Sequence, residues 1–435
     1  MNRNFLRRGS VALATAAVIV GLTQIAAVAP AVASTPSPLP PGTHFFTPVP
    51  SSGALTQIAQ LLRSRDLTDA ALIAKEVATP QAAWFTKGTP AQVKRSVRAT
   101  SLESSLTKTV PTLVVYNVPG RDCSQYSSGG AGSDAAYQAW VSGFAAGLIK
   151  NQRVIVIVEP DGLANLPSDC PSAYPGQDIA AITAGRIADI KYAGQVIQQA
   201  DPKALVYLDA GHSAWHSVAD ITTRLEQAGV ADDQGFSLDV SNYQFTPNLE
   251  EYGNWVSECI AYTTSVVPGD TGNCGDMYWS GGPANDWTGV TLNPNGQWST
   301  TATDPTLNTA GIDSRYASIL GSTQPTAHYV LDTSRNGKGP WTPAASANYP
   351  DPQTWCNPPG SGLGARPQAA PVAAYPLLDA YLWVKTPGQS DGQCNRGITG
   401  STTDPEWGGI VDPAAGDWFP QQALQLAQNA VPALH

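Results

Sequence analysis

An α/β fold built on a parallel sheet, either a β/α barrel or a doubly wound sheet, follows from three features of this sequence. Short β-branched runs alternate with helical patterns about seven times along the chain. Several of those runs are apolar almost without a break, as expected of parallel strands covered on both faces. Acids recur where the runs stop, usually beside Gly or Arg. Both architectures carry their active sites at the carboxyl ends of the strands, so that is where chemistry is sought.

The chain opens with Arg3, Arg7 and Arg8 and an apolar run from Val11 to about Ala29, ending at Ala31-Val32-Ala33. This three-part layout predicts a secretory signal peptide over residues 1–33. A membrane anchor is the rival reading, since the run approaches spanning length. Thr15, Thr23, Gln24 and the small-x-small tripeptide favour removal. Residues 34–42 form a short Pro-rich leader, and one domain is expected over 43–435. Its strands are expected at 82–85, 112–118, 153–159, 204–209, 236–241, 327–332 and 380–385. Helices are expected near 54–63, 67–76, 90–107, 134–149, 178–200, 214–228, 306–320 and 417–430.

Without its first three arginines the chain has 21 basic residues against 34 acidic ones, a net charge of −13. That balance argues against nucleic acid and anionic membranes as partners. A soluble, extracellular, monomeric protein is expected. All six cysteines, Cys123, Cys170, Cys259, Cys274, Cys356 and Cys394, follow the signal, and no two form a CxxC pair. An even count in an exported chain predicts three disulfides, with spacing alone leaving fifteen pairings open.

Five acids stand at or just beyond strand ends: Asp122, Asp161, Asp209, Asp332 and Asp391. An Asp before Gly after a strand is often only a turn or a helix cap. Five on one rim point further. Carboxylates sharing a cleft raise one another's pKa, so a proton donor and a proton acceptor can coexist at one pH. Glycosidic cleavage needs such a pair, and pyranose faces need flat aromatic platforms. Trp84, Trp215, Trp355, Trp383, Trp407 and Trp418 fall near the rim. Trp383, inside a strand, is read as core, whereas Trp84, Trp215 and Trp355 are read as sugar contacts. No phosphate loop, GxSxG elbow or HExxH pattern occurs. Asp209, His212 and His216 lack the further clustered ligands a metal centre needs. Neither a metal nor a cofactor is expected, and His212 is read as a hydrogen-bonding residue of the cleft.

These motifs resemble glycoside hydrolase family 6, the inverting cellulases. The most specific are Val115-Tyr116 through Pro119-Gly120-Arg121-Asp122-Cys123 with Ser127-Ser128-Gly129-Gly130, and Ile157-Val158-Glu159-Pro160-Asp161. Supporting segments are Asp209 to Trp215, Asn242-Tyr243, Asp332 to Gly337, Trp355-Cys356-Asn357, and Trp383 to Lys385 with Asp391-Gly392. The resemblance implies a distorted barrel of seven parallel strands. It implies Asp161 as general acid, Asp122 as its pKa-raising, water-positioning partner, Asp391 as the proposed base and Asp209 as support. Trp84, Tyr116, Ser128, His212, Trp215, Asn242, Trp355 and Lys385 would bind substrate. The cysteines would pair Cys123 with Cys170 and Cys356 with Cys394, leaving Cys259 with Cys274.

Two residues depart from the family pattern: Gln389 replaces a usual Glu, and Gly162 replaces Ser or Ala. Gly permits a wider backbone range beside the acid. The segment 246–304 resembles short members poorly and reads as an insertion whose Trp279, Trp287 and Trp298 add a further cleft wall. The expected activity is inverting hydrolysis of β-1,4 bonds in cellulose or a related glucan. The short loop after Asp122 leans it toward endo action, while the long 387–419 loop favours exo action. The alternatives are an exo-acting cellobiohydrolase, a non-catalytic glucan-binding protein, and a retaining glycosidase of another barrel family.

Overall fold

The computed structural model describes residues 37–278 and 290–434; the expected signal peptide, Trp279 and Trp287 lie outside them. Eight strands form a single sheet: β1 (Ala83–Phe85), β2 (Thr112–Val115), β3 (Val154–Val158), β4 (Ala204–Asp209), β5 (Gly235–Leu238), β6 (His328–Asp332), β7 (Gln368–Ala369) and β8 (Leu378–Leu382). Their order is β1-β2-β3-β4-β5-β6-β8-β7. Seven run parallel, and the short β7 adds an antiparallel edge to β8. No ladder closes the barrel between β1 and β8. Instead the Ala82 N–H donates to Trp383 O at 2.9 Å, and the Trp84 indole N–H donates to Val384 O at 2.8 Å.

Alternate residues of each strand point to opposite sides, and both sides are buried. Leu113, Val115, Val154, Val156 and Val158 pack outward against α3 (Pro90–Thr107), α4 (Asp134–Ala145) and α5 (Ile179–Ala200). Val114, Ile155, Ile157, Tyr207, Val330 and Leu382 fill the inside. This double burial produces the unbroken apolar runs. The remaining helices are α1 (Ser52–Arg63), α2 (Leu67–Ala78), α6 (Val218–Gln227), α7 (Thr246–Ala261), α8 (Ala310–Leu320) and α9 (Pro420–Gln428). Ser51, Thr89, Ser133 and Ser217 cap helix N-termini with their side chains. No helix among the described residues is long and apolar enough to cross a membrane.

Two strands stop short of their expected ends because acids take the backbone N–H groups that a ladder would use. Glu159 accepts from Asn117 and Val118 at 3.0–3.1 Å, ending β2 at Val115. Asp332 accepts from Val384 and Lys385 at 3.1 and 2.8 Å, ending β8 at Leu382. Beyond β5, Asp239 and Ser241 take left-handed backbone angles, φ 65° and 67°. The segment 246–304 is not wholly irregular. Its first part is α7, whose apolar stripe is masked because Asn248, Glu250 and Glu251 are buried along with it. Trp298 is not a cleft wall: it is 1% exposed and stacks on Trp255 in the core, 5.7 Å between ring centres.

The cysteines join Cys123–Cys170, Cys259–Cys274 and Cys356–Cys394. The first and third tie loops beyond strand ends, and the second ties the end of α7 to the turn that follows.

Candidate active site

A cleft of about 340 Å³ opens over the carboxyl ends of the strands. Asp122, Asp161, Asp391, Trp84, Tyr116, His212, Trp215, Asn242, Trp355 and Lys385 all line it. Asp209 and Ser128 do not. Ser128 is exposed on the loop after Asp122, and the neighbouring Ser127 lines the cleft in its place. Gln125, Asn165 and Ser241 also line it. They carry no charge or aromatic ring, and no sequence signal singled them out.

The strand-end acids divide by what their oxygens do. Asp209 is 1% exposed and accepts from the backbone N–H groups of Asp161 (2.8 Å) and Gly211 (3.2 Å) and from the Ser237 hydroxyl (3.0 Å). It therefore grips the chain at Asp161. Asp332 likewise holds Ser241, Ser334, Val384 and Lys385 by their N–H groups. Glu159 does the same for the segment leading to Asp122. These acids shape the rim, and the turn-and-cap reading applies to Asp332. The grip fixes unusual backbone: Asp122, Glu159 and Asp161 have φ of 60°, 50° and 62°, a region non-glycine residues seldom occupy.

Asp161 and Asp122 face the cleft with raised affinity for protons. Burial drives the Asp161 carboxyl well above its usual range, and the nearby charges of Asp209, Asp122 and Asp391 push it further. Its Oδ1 is buried with no hydrogen-bond partner among the described residues. Burial lifts Asp122 to about 6, although the Ser127 N–H on its Oδ2 pulls the other way. Asp209 rises to about 7, again chiefly by burial.

Asp391 is the opposite case. The Arg335 guanidinium donates to both its oxygens at 2.9 Å, and the Lys385 ammonium lies 3.2 Å from Oδ1. The Tyr243 hydroxyl and the Asn357 N–H donate to Oδ2, each at 3.0 Å. Burial alone would raise its pKa, but Arg335 and Lys385 outweigh burial and hold the carboxyl below its usual range. Arg335 is 0% exposed and its other terminal nitrogen donates to Ser241 O. Its role in anchoring Asp391 was legible only as an Arg three residues after a strand-end acid.

Aromatic rings flank the acids. Trp84 meets Tyr116 edge to face at 5.5 Å, and Trp215 stacks on His216 at 5.8 Å. Burial, helped by His216, depresses His212 to about 3, so its ring is neutral. His216 turns its ring nitrogens to Ala164 O and Asp220, away from His212. Trp383 is in the core at 1% exposure, while Trp407 donates to Asn357 O and Trp418 to Gln57. Gln389 is not beside Asp391 in the cleft but lines a neighbouring hollow of about 240 Å³ with Trp84 and Trp418. Gly162 does not use glycine's backbone range. A Cβ there would come within 2.8 Å of Glu159 O, so close packing is what demands the small residue.

The family model for glycosyl hydrolases family 6 matches residues 41–430. The chain is 33% identical over 389 residues to Endoglucanase A of Cellulomonas fimi, covering 88% of this chain and 62% of that one. It is 30% identical over 341 residues to a probable 1,4-beta-D-glucan cellobiohydrolase C of Aspergillus fumigatus, covering 74% of this chain and 61% of the relative. It thus spans about six-tenths of these relatives' length. The solved structure of the endoglucanase Cel6 from Mycobacterium tuberculosis, in complex with methyl-cellobiosyl-4-deoxy-4-thio-β-D-cellobioside, is similar at 28% identity. The TM-score is 0.60, with 89% of this chain and 97% of that chain covered.

Proposed function

This chain belongs to glycosyl hydrolases family 6, and from that premise we propose that it is a secreted cellulase that cleaves β-1,4-glucosidic bonds with inversion at the anomeric carbon. One observation carries the reading: a carboxyl with raised proton affinity and an ionised carboxylate line the same cleft. Asp161 keeps its proton at mildly acidic pH and gives it to the leaving glycosidic oxygen. Asp391 stays ionised and takes the proton of the water that attacks the opposite face of the sugar. Asp122 lies near enough to Asp161 to raise it electrostatically and orders water with Ser127. Trp84, Trp215 and Trp355 stack on glucosyl rings, and Tyr116, His212, Asn242 and Lys385 hold hydroxyls. Three disulfides and the basic, then apolar, start of the chain support export.

Endo action, toward which the short loop after Asp122 leans, is favoured by one feature of the cleft. Of residues 387–419, the cleft is lined by Asp391 alone, so the long loop is not read as a roof. The Gln389–Trp418 and Asp404–Ile410 bridges and the Arg396–Asp404 ion pair fold that loop on itself, and Cys356–Cys394 ties it to the segment that carries Trp355. On a soluble cellulose derivative, viscosity should fall early relative to reducing-end release. Slow viscosity loss with cellobiose as sole product would overturn endo action. Proton NMR of the first product should show the α-anomer, and a β-anomer would sink inversion.

A further inference from the structure

We propose that Asn357 and Asp412 are positioning residues for Asp391, a buried amide and carboxylic acid that set the base from behind. The proposal rests on Asp391 being the base. Asn357 is 0% exposed and grips Asp391 twice. Its backbone N–H donates to Asp391 Oδ2 at 3.0 Å, and its side-chain carbonyl accepts the Asp391 N–H at 2.8 Å. The side-chain amide nitrogen reaches Asp412 Oδ2 at 2.8 Å, Gly392 O at 2.9 Å and Ser390 Oγ at 3.0 Å. Gln422 donates to the same carbonyl oxygen as Asp391 does. With donors on one end and acceptors on the other, the amide has one satisfied orientation. A flip would set its NH₂ against two donors. Its backbone is left-handed, φ 40°, next to the Cys356–Cys394 disulfide. Such a conformation persists only where its surroundings hold it.

Asp412 is 1% exposed and comes from the far end of the long loop. The charged groups facing it are Asp404 and Arg396, and Arg396 is already ion-paired with Asp404. Asp412 Oδ1 is buried with no hydrogen-bond partner among the described residues. Protonation resolves this: the hydroxyl donates to the Asp404 carboxylate, and Oδ2 goes on accepting from Asn357. Burial, with Asp404 beside it, lifts Asp412 to about 7, despite the opposing Asn357 bond. The nearby Cys394 is held in its disulfide, so the cluster lacks a third metal ligand. The neutral acid thus fixes the amide, the amide fixes the 390–392 turn, and the turn fixes Asp391.

The test is the pH profile of kcat and KM, from pH 3 to 8 on cellopentaose, for wild type, Asp412→Asn and Asp412→Ala. Asparagine keeps an acceptor for Asn357 and a donor for Asp404, so Asp412→Asn should match wild type within about twofold at pH 5. Asp412→Ala leaves the amide without that acceptor. Its kcat should fall about tenfold with KM within about twofold. Its acid limb should move to higher pH, because Asp391 loses the Asn357 N–H that helps keep it ionised. A wild-type kcat and acid limb in Asp412→Ala would overturn the proposal, as would equal damage in Asp412→Asn. If circular dichroism shows Asp412→Ala unfolded, Asp412→Ser, too short to reach Asn357, replaces it with the same expected limb shift. Asp391→Ala is measured alongside. Full activity there overturns the base reading itself, whereas an inactive Asp391→Ala beside a normal Asp412→Ala removes only the positioning role.

Discussion

Asp161 and Asp391 line one cleft, yet their neighbours are opposite in sign. On the β2–β4 side, Asp161 has Asp209 and Asp122 for company and a buried oxygen with no partner among the described residues. On the β6–β8 side, Asp391 lies between Arg335 and Lys385, with Tyr243 and Asn357 donating as well. Burial raises both carboxyls, so burial alone cannot separate donor from acceptor. The cations do, and all the charges that do it come from residues at strand ends. The comparison teaches that a carboxyl's proton affinity here is set by the charges converging on it from several strand ends, not by burial alone.

The largest expected effect comes from removing the proposed donor. Asp161→Ala should lower kcat on polymer by about 10²–10⁴-fold while circular dichroism stays native. A variant with wild-type turnover would break the comparison at its first term. Next comes the other side. Arg335→Met removes the guanidinium that holds Asp391 ionised, so kcat should fall about 10–100-fold and the acid limb of its pH profile should rise. An unmoved acid limb would show that Arg335 does not set the charge of Asp391. Asp209→Asn is a gentler probe of the donor side, since asparagine still accepts the Asp161 N–H. Removing the neighbouring carboxyl should lower the Asp161 pKa and bring the alkaline limb to lower pH, with kcat at pH 5 within about fivefold of wild type.

The smallest effect is on stability. Glu159 and Asp209 rise to about 7, and Asp233 and Glu258 to about 8, in each case chiefly by burial. Each binds its proton more tightly folded than unfolded. Their contribution is complete below the unfolded carboxyl pKa and is lost as pH rises through 7 to 8. Asp391 has the reverse sign: its contribution is complete above the unfolded carboxyl pKa and is lost as pH falls through its depressed pKa, outside this window. Melting temperature should therefore fall between pH 5 and pH 8, and a rise over that window would contradict the assigned shifts.

Much of this was legible in the sequence, for definite reasons. β3 and β4 stood out because both of their faces are buried, and every residue from Val154 to Val158 and from Ala204 to Leu208 serves one face or the other. The cleft acids stood out because strand-end position and motif agree at Asp122, Asp161 and Asp391. What stayed hidden were side chains whose partners lie far along the chain. Helix α7, in a segment read only as an insertion, buries Glu250 and Glu251. Trp298 reads as a cleft aromatic but stacks on Trp255, 43 positions earlier in the numbering. Ser127 and Ser128 are adjacent, and only the turn after Asp122 decides which of them meets the cleft. Gly162 read as backbone freedom, whereas the close approach of Glu159 is what requires it.

The most direct measurement is a carboxyl titration by NMR on protein carrying ¹³C in its aspartate side chains, with Asp161→Asn and Asp391→Asn samples supplying the assignments. The account predicts that Asp391 titrates below the usual carboxylate range, that Asp122 titrates near 6, and that Asp161 titrates above its usual range and above Asp391. An Asp391 that takes up its proton at higher pH than Asp161 would contradict it.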